Sequence, residues 1–365
     1  MQPPTSPESI LVICTRRIGD VLLTTPVVRS LKRAYPDAAV DVLLFEGTQG
    51  ILAGNPDVSA VLAVAERPGA GEQGRLLRRI WRRYDLAVSV LAGDRPTLYA
   101  WAAGRYRIGT LEQKAKSLWK RALLHAWVPF DDFHTHTVIM NLRVIERLGV
   151  KTLPEPVVGC PPEAQSAARA AFPELDSERV AVLHVSPKFP YKRWSAEGWG
   201  RLAHMLTEKG MRVAIAGGAS GSERQYVQRL LPSMPNIVDL AGRIDLSTLA
   251  CIISRAALYV GTDTAVTHMA AALGVPTVAL FGPSNPVKWG PWPKGWSTPP
   301  SPYVLRGTQL RGNVALVQGE GHCVPCLQEG CARTIESESA CLQMLRPETV
   351  IAAVEKLETA MAGRE

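Results

Sequence analysis

The chain has 365 residues, of which 46% are hydrophobic and 20% charged, with a formal net charge of +8. That length exceeds what one compact core holds, so two domains are expected, and no stretch approaches the roughly 18 consecutive apolar residues of a membrane span. The start, MQPPTSPESI, lacks a basic region followed by an apolar core, so a cytoplasmic enzyme is expected. The charge favours an acidic partner: a phosphorylated substrate, an anionic membrane surface or nucleic acid.

Ile10–Thr15 reads as a strand, followed by the polar turn Arg16-Arg17-Ile18-Gly19-Asp20 and a helix from Val21 or Thr25 to Ala34. Val40–Phe45, Val58–Val64 and Asp85–Leu91 read as further strands, the last after a basic helix over Arg75–Arg83, and Gly104–Gly109 as a fifth strand. Thr135–Leu148 is a helix with an apolar stripe at Val138, Leu142, Ile145 and Leu148, and the proline-rich stretch from Leu153 to about Pro162 is the expected linker. The alternation then restarts with strands at Val180–Val185, Met211–Ala216 and Ile237–Leu240. Between and after them lie helices at Ser195–Lys209, Ser222–Leu230 and Leu246–Ser254. Pro283–Pro302 reads as an ordered loop and Pro347–Ala360 as a terminal amphipathic helix. Strands alternating with helices indicate parallel, doubly wound sheets, and two such halves place an active site in the cleft that they face across.

The stretch Ala256–Gly282, AALYVGTDTAVTHMAAALGVPTVALFG, reads as strand, tight loop, helix and second strand. Its loop, Gly261-Thr262-Asp263-Thr264, falls at the carboxyl end of a strand and the start of a helix, where free N–H groups and hydroxyls suit a phosphorylated or sugar-bearing ligand.

Four separated segments then carry a resemblance: RRIGDVLLTTPVVRSLK, KRWSAEGWGRLA, the DTAVTH core of the loop–helix unit, and FGPSNP. In this order they resemble the lipopolysaccharide heptosyltransferases, over nearly the whole chain. The resemblance implies a GT-B architecture of two Rossmann-like domains, at 1–155 for the acceptor and 156–345 for the nucleotide-sugar, followed by a C-terminal helix over 346–365. It also implies inverting transfer of heptose from ADP-heptose, as co-substrate, to the lipopolysaccharide inner core, with no cofactor or catalytic metal required.

Read locally, Asp20 is most simply an N-cap. A sugar hydroxyl must lose its proton as it attacks, however, and the resemblance assigns Asp20 as the general base, with Gly19 giving the sugar close access to the backbone. Asp263 reads either as a helix cap or as an acceptor of sugar hydroxyls. Thr264 and the first N–H groups of its helix would hold phosphate. His268 is by itself more often structural, and the resemblance raises it to a loop support or phosphate contact. Lys192 matches the position of the cation that stabilises departing ADP, with Arg193 as support and Ser186 as a hydroxyl donor. Gly217 and Gly218 would admit the nucleotide closely. Glu223 is a candidate for the ribose hydroxyls and Ile244 for packing on adenine, against readings as a first-turn acid and a core residue.

The implied acceptor is a phosphorylated, lipid-linked oligosaccharide at the inner face of the cytoplasmic membrane, where peripheral contact suits the basic surplus. Arg16, Arg17, Arg105 and Arg107 are candidates to meet its anionic groups, although each also reads as an ordinary surface charge. The set Cys323-x2-Cys326-x4-Cys331-x9-Cys341 leaves open a structural zinc or iron, reduced thiols or a disulfide. A nicotinamide-dependent oxidoreductase lacks its G-x-G-x-x-G fingerprint here, and a nucleic-acid-binding module lacks aromatic-rich basic strands. Another nucleotide-sugar donor, or a protein hydroxyl as acceptor, stays open.

Overall fold

The computed structural model describes residues 2–114, 117–176, 178–234 and 236–363, so the last two residues of the terminal segment lie outside it. Two units emerge, residues 1–159 with 297–300, and residues 160–296 with 301–365.

In the first unit the apolar runs become β1 (Ser9–Cys14), β2 (Ala39–Phe45), β3 (Ala60–Val64), β4 (Tyr84–Ser89), β5 (Gly104–Leu111) and β6 (Ala126–Pro129). They form one sheet in the order β3-β2-β1-β4-β5-β6, with every described pairing parallel. Ile10 to Cys14 are fully buried, as expected of a strand covered on both faces. The connecting helices are α1 (Ile18–Leu22), α2 (Thr25–Ala34), α3 (Ala70–Ile80), α4 (Asp94–Ala103), α5 (Leu118–Leu123) and α6 (Thr137–Glu146). The strand order reverses between β1 and β4. Right-handed crossovers therefore put α2 on one face and α3 and α4 on the other. Leu76 and Ile80 of α3 share one core cluster with Tyr99, Ala100 and Ala103 of α4 and with Leu124.

The second unit begins with α7 (Pro162–Ala171), which sequence reasoning did not separate from the linker. Cys160, at its entry, is disulfide-bonded to Cys251. There follow β7 (Val180–Ser186), α8 (Ala196–Glu208), β8 (Arg212–Gly217), α9 (Gly221–Leu230), β9 (Ile237–Asp239), α10 (Leu246–Ile253), β10 (Leu258–Thr262), α11 (Ala265–Leu273) and β11 (Thr277–Phe281). The chain continues through α12 (Pro286–Trp289), the hairpin β12 (Gln309–Arg311) and β13 (Val314–Gln318), α13 (Ala340–Gln343) and α14 (Pro347–Ala362). The sheet order is β12-β13-β11-β10-β7-β8-β9, with only β12 antiparallel among the described pairings. Trp194, Trp199 and Leu183 share a core cluster with Val350, Val354 and Leu357 of α14, so the terminal helix is part of this unit's interior.

Candidate active site

The strand order of the second unit reverses between β7 and β10, and at such a point the loops leaving the two strands diverge and open a ligand-sized crevice. Lys192 arrives there from β7, at the end of a short 3-10 turn, and Asp263 arrives from β10. Lys192 Nζ donates to Asp263 Oδ2 at 2.6 Å, and Ser284 Oγ, just beyond β11, donates to the same oxygen at 2.6 Å. His268, one turn into α11, holds Nε2 4.0 Å from Asp263 Oδ1. The motif residues thus converge on one carboxylate. Ser284 was missed as a site residue, although it lies inside the quoted FGPSNP motif.

Burial would raise the Asp263 carboxyl, but the positive charge and hydrogen bond of Lys192, with help from His268 and Ser284, hold it below its ordinary value. His268 also moves down, with the opposite effect on charge: burial drives its imidazole down to about 4, more than the pull of Asp263 can offset. It is therefore neutral near pH 7, and of its neighbours Lys192 is the one that balances the aspartate charge. His268 Nδ1 is buried with no hydrogen-bond partner, a polar group held at the site without a protein acceptor or donor.

Asp263 is not the helix cap. Thr264 takes that position in α11, in an extended conformation and without a capping bond from its side chain. Its hydroxyl lies 3.3 Å from that of Thr267, which in turn donates to the Thr262 carbonyl and sits 3.0 Å from the Tyr259 hydroxyl. This hydroxyl chain fixes the loop from beneath. Gly261 is required by the same packing, because a Cβ there would collide with the Tyr259 phenol. Gly261→Ala is expected to cost about 1–3 kcal/mol of stability through overpacking and to weaken donor binding, read by thermal melts and nucleotide titration. A variant with wild-type melting would refute that account.

Several of the expected residues in this half have partners within the protein. Gly217 is required by interior packing, because a Cβ there would meet Val227, Ser186 and Ala241 at 3.1–3.3 Å. Ser186 is fully buried and its hydroxyl donates to the Glu223 carbonyl at 3.4 Å. Arg193 lies with its guanidinium 4.3 Å from the Tyr226 ring centroid, stacked on α9 instead of joining Lys192. Glu223 belongs to a Ser-x-x-Glu capping arrangement. Ser220 Oγ accepts from the Glu223 amide at 3.4 Å and donates to its carboxylate at 2.5 Å, folding that carboxylate against Gly218. Ile244 is half-buried in the β9–α10 loop, not a core residue, and so keeps an apolar surface at the carboxyl edge.

In the first unit the reversal point lies between β1 and β4, and Asp20 follows β1. Arg17 is the N-cap of α1, so Asp20 lies inside the helix, in its first turn, and is not itself the N-cap residue. Its side chain is 12% exposed, with Oδ1 3.6 Å from Arg16 Nη1. Its carbonyl accepts from Thr24 Oγ1 at 2.8 Å, and Asn141 of α6 donates to Thr24 Oγ1 at 3.3 Å. Gly19 shares this one-turn helix.

Arg105 and Arg107 do not belong to this end. Arg105 pairs with Asp85 at 2.8 Å, and Asp85 accepts from the Ser9 amide at the amino end of β1. Arg107 is level with Ala87 and Leu11, about 10 Å of strand below Cys14, and lies on His125 with Nη2 3.0 Å from Nε2.

Cys323, Cys326, Cys331 and Cys341 are free thiols, and among the described residues no group of three or more His, Cys, Asp or Glu is arranged to hold a metal ion. Of the alternatives left open by spacing, the disulfide is not formed. Cys341 is raised to about 11 by burial first and by the other three sulfurs second.

A family model described as glycosyltransferase family 9 (heptosyltransferase) matches residues 75–297. The chain is 29% identical over 289 residues to lipopolysaccharide heptosyltransferase 3 of Escherichia coli K12, covering 75% of this chain and 82% of that protein. It is 29% identical over 340 residues to lipopolysaccharide heptosyltransferase 1 of Pseudomonas aeruginosa, covering 88% and 87%. Among solved structures, the ADP-heptose lipopolysaccharide heptosyltransferase II of Escherichia coli aligns with a TM-score of 0.72 at 21% identity, over 97% of this chain and 99% of that one. With the α/β GT-B fold in place and a family match over more than half its length, the chain belongs to glycosyltransferase family 9, the heptosyltransferases.

Proposed function

We propose that this glycosyltransferase moves heptose from ADP-heptose to a phosphorylated, lipid-linked inner-core oligosaccharide, with inversion at the anomeric carbon. The observation that carries the donor half is the Lys192–Asp263 pair at 2.6 Å beside the uncapped start of α11. An ammonium has three N–H groups, and Asp263 engages one, so Lys192 keeps donors for a diphosphate while remaining paired. The first amides of α11 add their partial positive charge. Asp263, kept ionised, accepts hydrogen bonds from donor sugar hydroxyls, and Ile244 offers an apolar surface for the base.

In the reaction the acceptor hydroxyl oxygen forms a bond to the anomeric carbon as the bond from that carbon to the β-phosphate oxygen breaks. The hydroxyl proton passes to Asp20, and ADP departs with its new charge met by Lys192 and the helix start. Charge stabilisation is assigned to these groups, so the step as written needs no metal. Arg16 and Arg17, beside Asp20, are the remaining basic candidates for acceptor phosphate. Named relatives that act on lipopolysaccharide support the acceptor class. Among the described residues no helix is long and apolar enough to cross a membrane.

The test incubates purified protein with ADP-heptose and truncated core acceptors and follows ADP release and product mass, with UDP- and GDP-sugars in parallel. ADP release that depends on acceptor, with a product heavier by one heptose, is expected. Turnover of another nucleotide-sugar alone, or transfer only to protein, would overturn the reading.

A further inference from the structure

The sequence RLLRRIWRR at Arg75–Arg83 places five arginines and a tryptophan in nine residues with no acid among them. Its apolar residues Leu76 and Ile80 in α3 are buried in the core, whereas Arg75, Arg78 and Arg79 of α3 and Trp81, Arg82 and Arg83 just after it are all exposed. None of the five arginines has a carboxylate partner among the described residues, unlike Arg105 and Arg16. Arg82 donates to the Gly104 carbonyl at 3.3 Å, but clustered charge without carboxylate partners adds little to folding stability, and so does a tryptophan left 52% exposed.

The apolar surface does not stop at α3. The Trp81 ring meets Trp101 of α4 edge-on, with centroids 5.4 Å apart. Leu98 lies one turn before Trp101 on the same outward side of α4 and is 40% exposed, and α5 packs beside α4. There Lys120 turns inward to the Ala92 carbonyl at 2.8 Å and to Asp94 at 2.6 Å, which leaves Leu118 and Trp119 outside at 56% and 44%. Three adjacent helices on one face of the sheet thus present Trp81, Leu98, Trp101, Leu118 and Trp119, bordered by the arginines of α3.

We propose that this outer face of α3, α4 and α5 is a docking surface for an anionic phospholipid bilayer. Tryptophan settles at the headgroup level, leucine reaches the acyl boundary, and arginine meets lipid phosphate, so the three side-chain types match three depths of one interface. A nucleic acid would match the arginines and tryptophans but leave the two exposed leucines unburied. The inference rests on the proposed membrane-linked acceptor only for its biological sense. Its test reads lipid binding without any sugar, so either idea can fail alone.

The full-length protein would be sedimented with mixed phosphatidylethanolamine–phosphatidylglycerol vesicles and with pure phosphatidylcholine vesicles. Binding to the anionic vesicles alone, weakened by salt, is expected. Replacing Arg75, Arg78 and Arg79 by alanine should reduce partitioning by about 100-fold, given the usual contribution of each basic residue near an anionic surface. Leu118→Ser with Trp119→Ser should reduce it by at least roughly tenfold through lost apolar insertion. Arg33→Ala with Arg147→Ala, which removes exposed charge from α2 and the end of α6, should change it little. Thermal melts and transfer to a soluble truncated acceptor should stay at wild-type values in every variant, which separates docking from folding and catalysis. Equal binding to neutral vesicles, full binding by the α3 or α5 variants, or tight capture of single-stranded RNA with no vesicle binding would each overturn the proposal.

Discussion

Asp20→Asn is expected to lower the transfer rate by about a hundred- to ten-thousand-fold, the span over which a positioned base contributes, with ADP-heptose affinity unchanged. The substitution preserves shape and removes only the capacity to take a proton. It leaves untouched the Thr24 bond to the Asp20 carbonyl, which involves no side-chain atom of Asp20, so α1 should hold its place. Loss of rate with normal donor affinity distinguishes a base from a structural acid, whose removal would change melting and binding together. Near-normal turnover would remove Asp20 from the mechanism.

The second large effect is expected at Lys192. Its side chain is 18% exposed and its partner Asp263 9%, so Lys192→Met leaves a nearly buried carboxylate without its main balancing charge, at a cost of about 3–5 kcal/mol near neutral pH. The pH dependence fixes the sign. In the wild type the Asp263 carboxyl lies below its ordinary 3.8, so its contribution to stability is present above that value and is lost as pH falls through the lower, folded one. Without Lys192, burial dominates and moves the carboxyl upward, so the variant loses stability as pH rises. The gap between wild-type and variant melting temperatures should therefore be widest near neutrality and close on acidification. Adding Asp263→Asn should recover much of the stability but not donor binding, because the phosphate-facing cation is still missing. A Lys192→Met protein with wild-type melting and donor affinity would refute both roles.

Much of this architecture is legible in the chain because buried parallel strands are continuous apolar runs, as in β1, β7 and β10. The helix α4 is less legible: Pro96 lies near its start and its residues are apolar on nearly all sides, so no stripe marks it. The hairpin β12–β13 is short, and polar residues around Gly312 obscure its alternation. In the site, Lys192, Asp263 and His268 stand out because their motifs are compact. The direct bonds that join Lys192 and Ser284 to Asp263 depend on folding, since those residues are 71 and 21 positions away from it. Gly217 shows a cue with two meanings. A glycine at a strand's end serves close packing as readily as ligand approach, and only the neighbours Val227, Ser186 and Ala241 decide between them. Arg107 misleads because a basic residue in a strand gives no sign of how far from the ligand-bearing end it lies.

The placement of α14 has a consequence for how the protein is made. Its Val350, Ala353, Val354 and Leu357 fill the same interior as Leu183 and Trp194, and Trp194 Nε1 donates to the Leu345 carbonyl at 2.8 Å. The strand that leads into Lys192 is thus covered by residues translated more than a hundred and fifty positions later. During synthesis, which releases roughly 5–20 residues each second, the first unit's sheet can assemble while the second still lacks its lid. The nascent second unit must wait with tryptophans uncovered until α14 leaves the ribosome, so a premature stop before Pro347 would yield an aggregation-prone fragment, not a weaker enzyme.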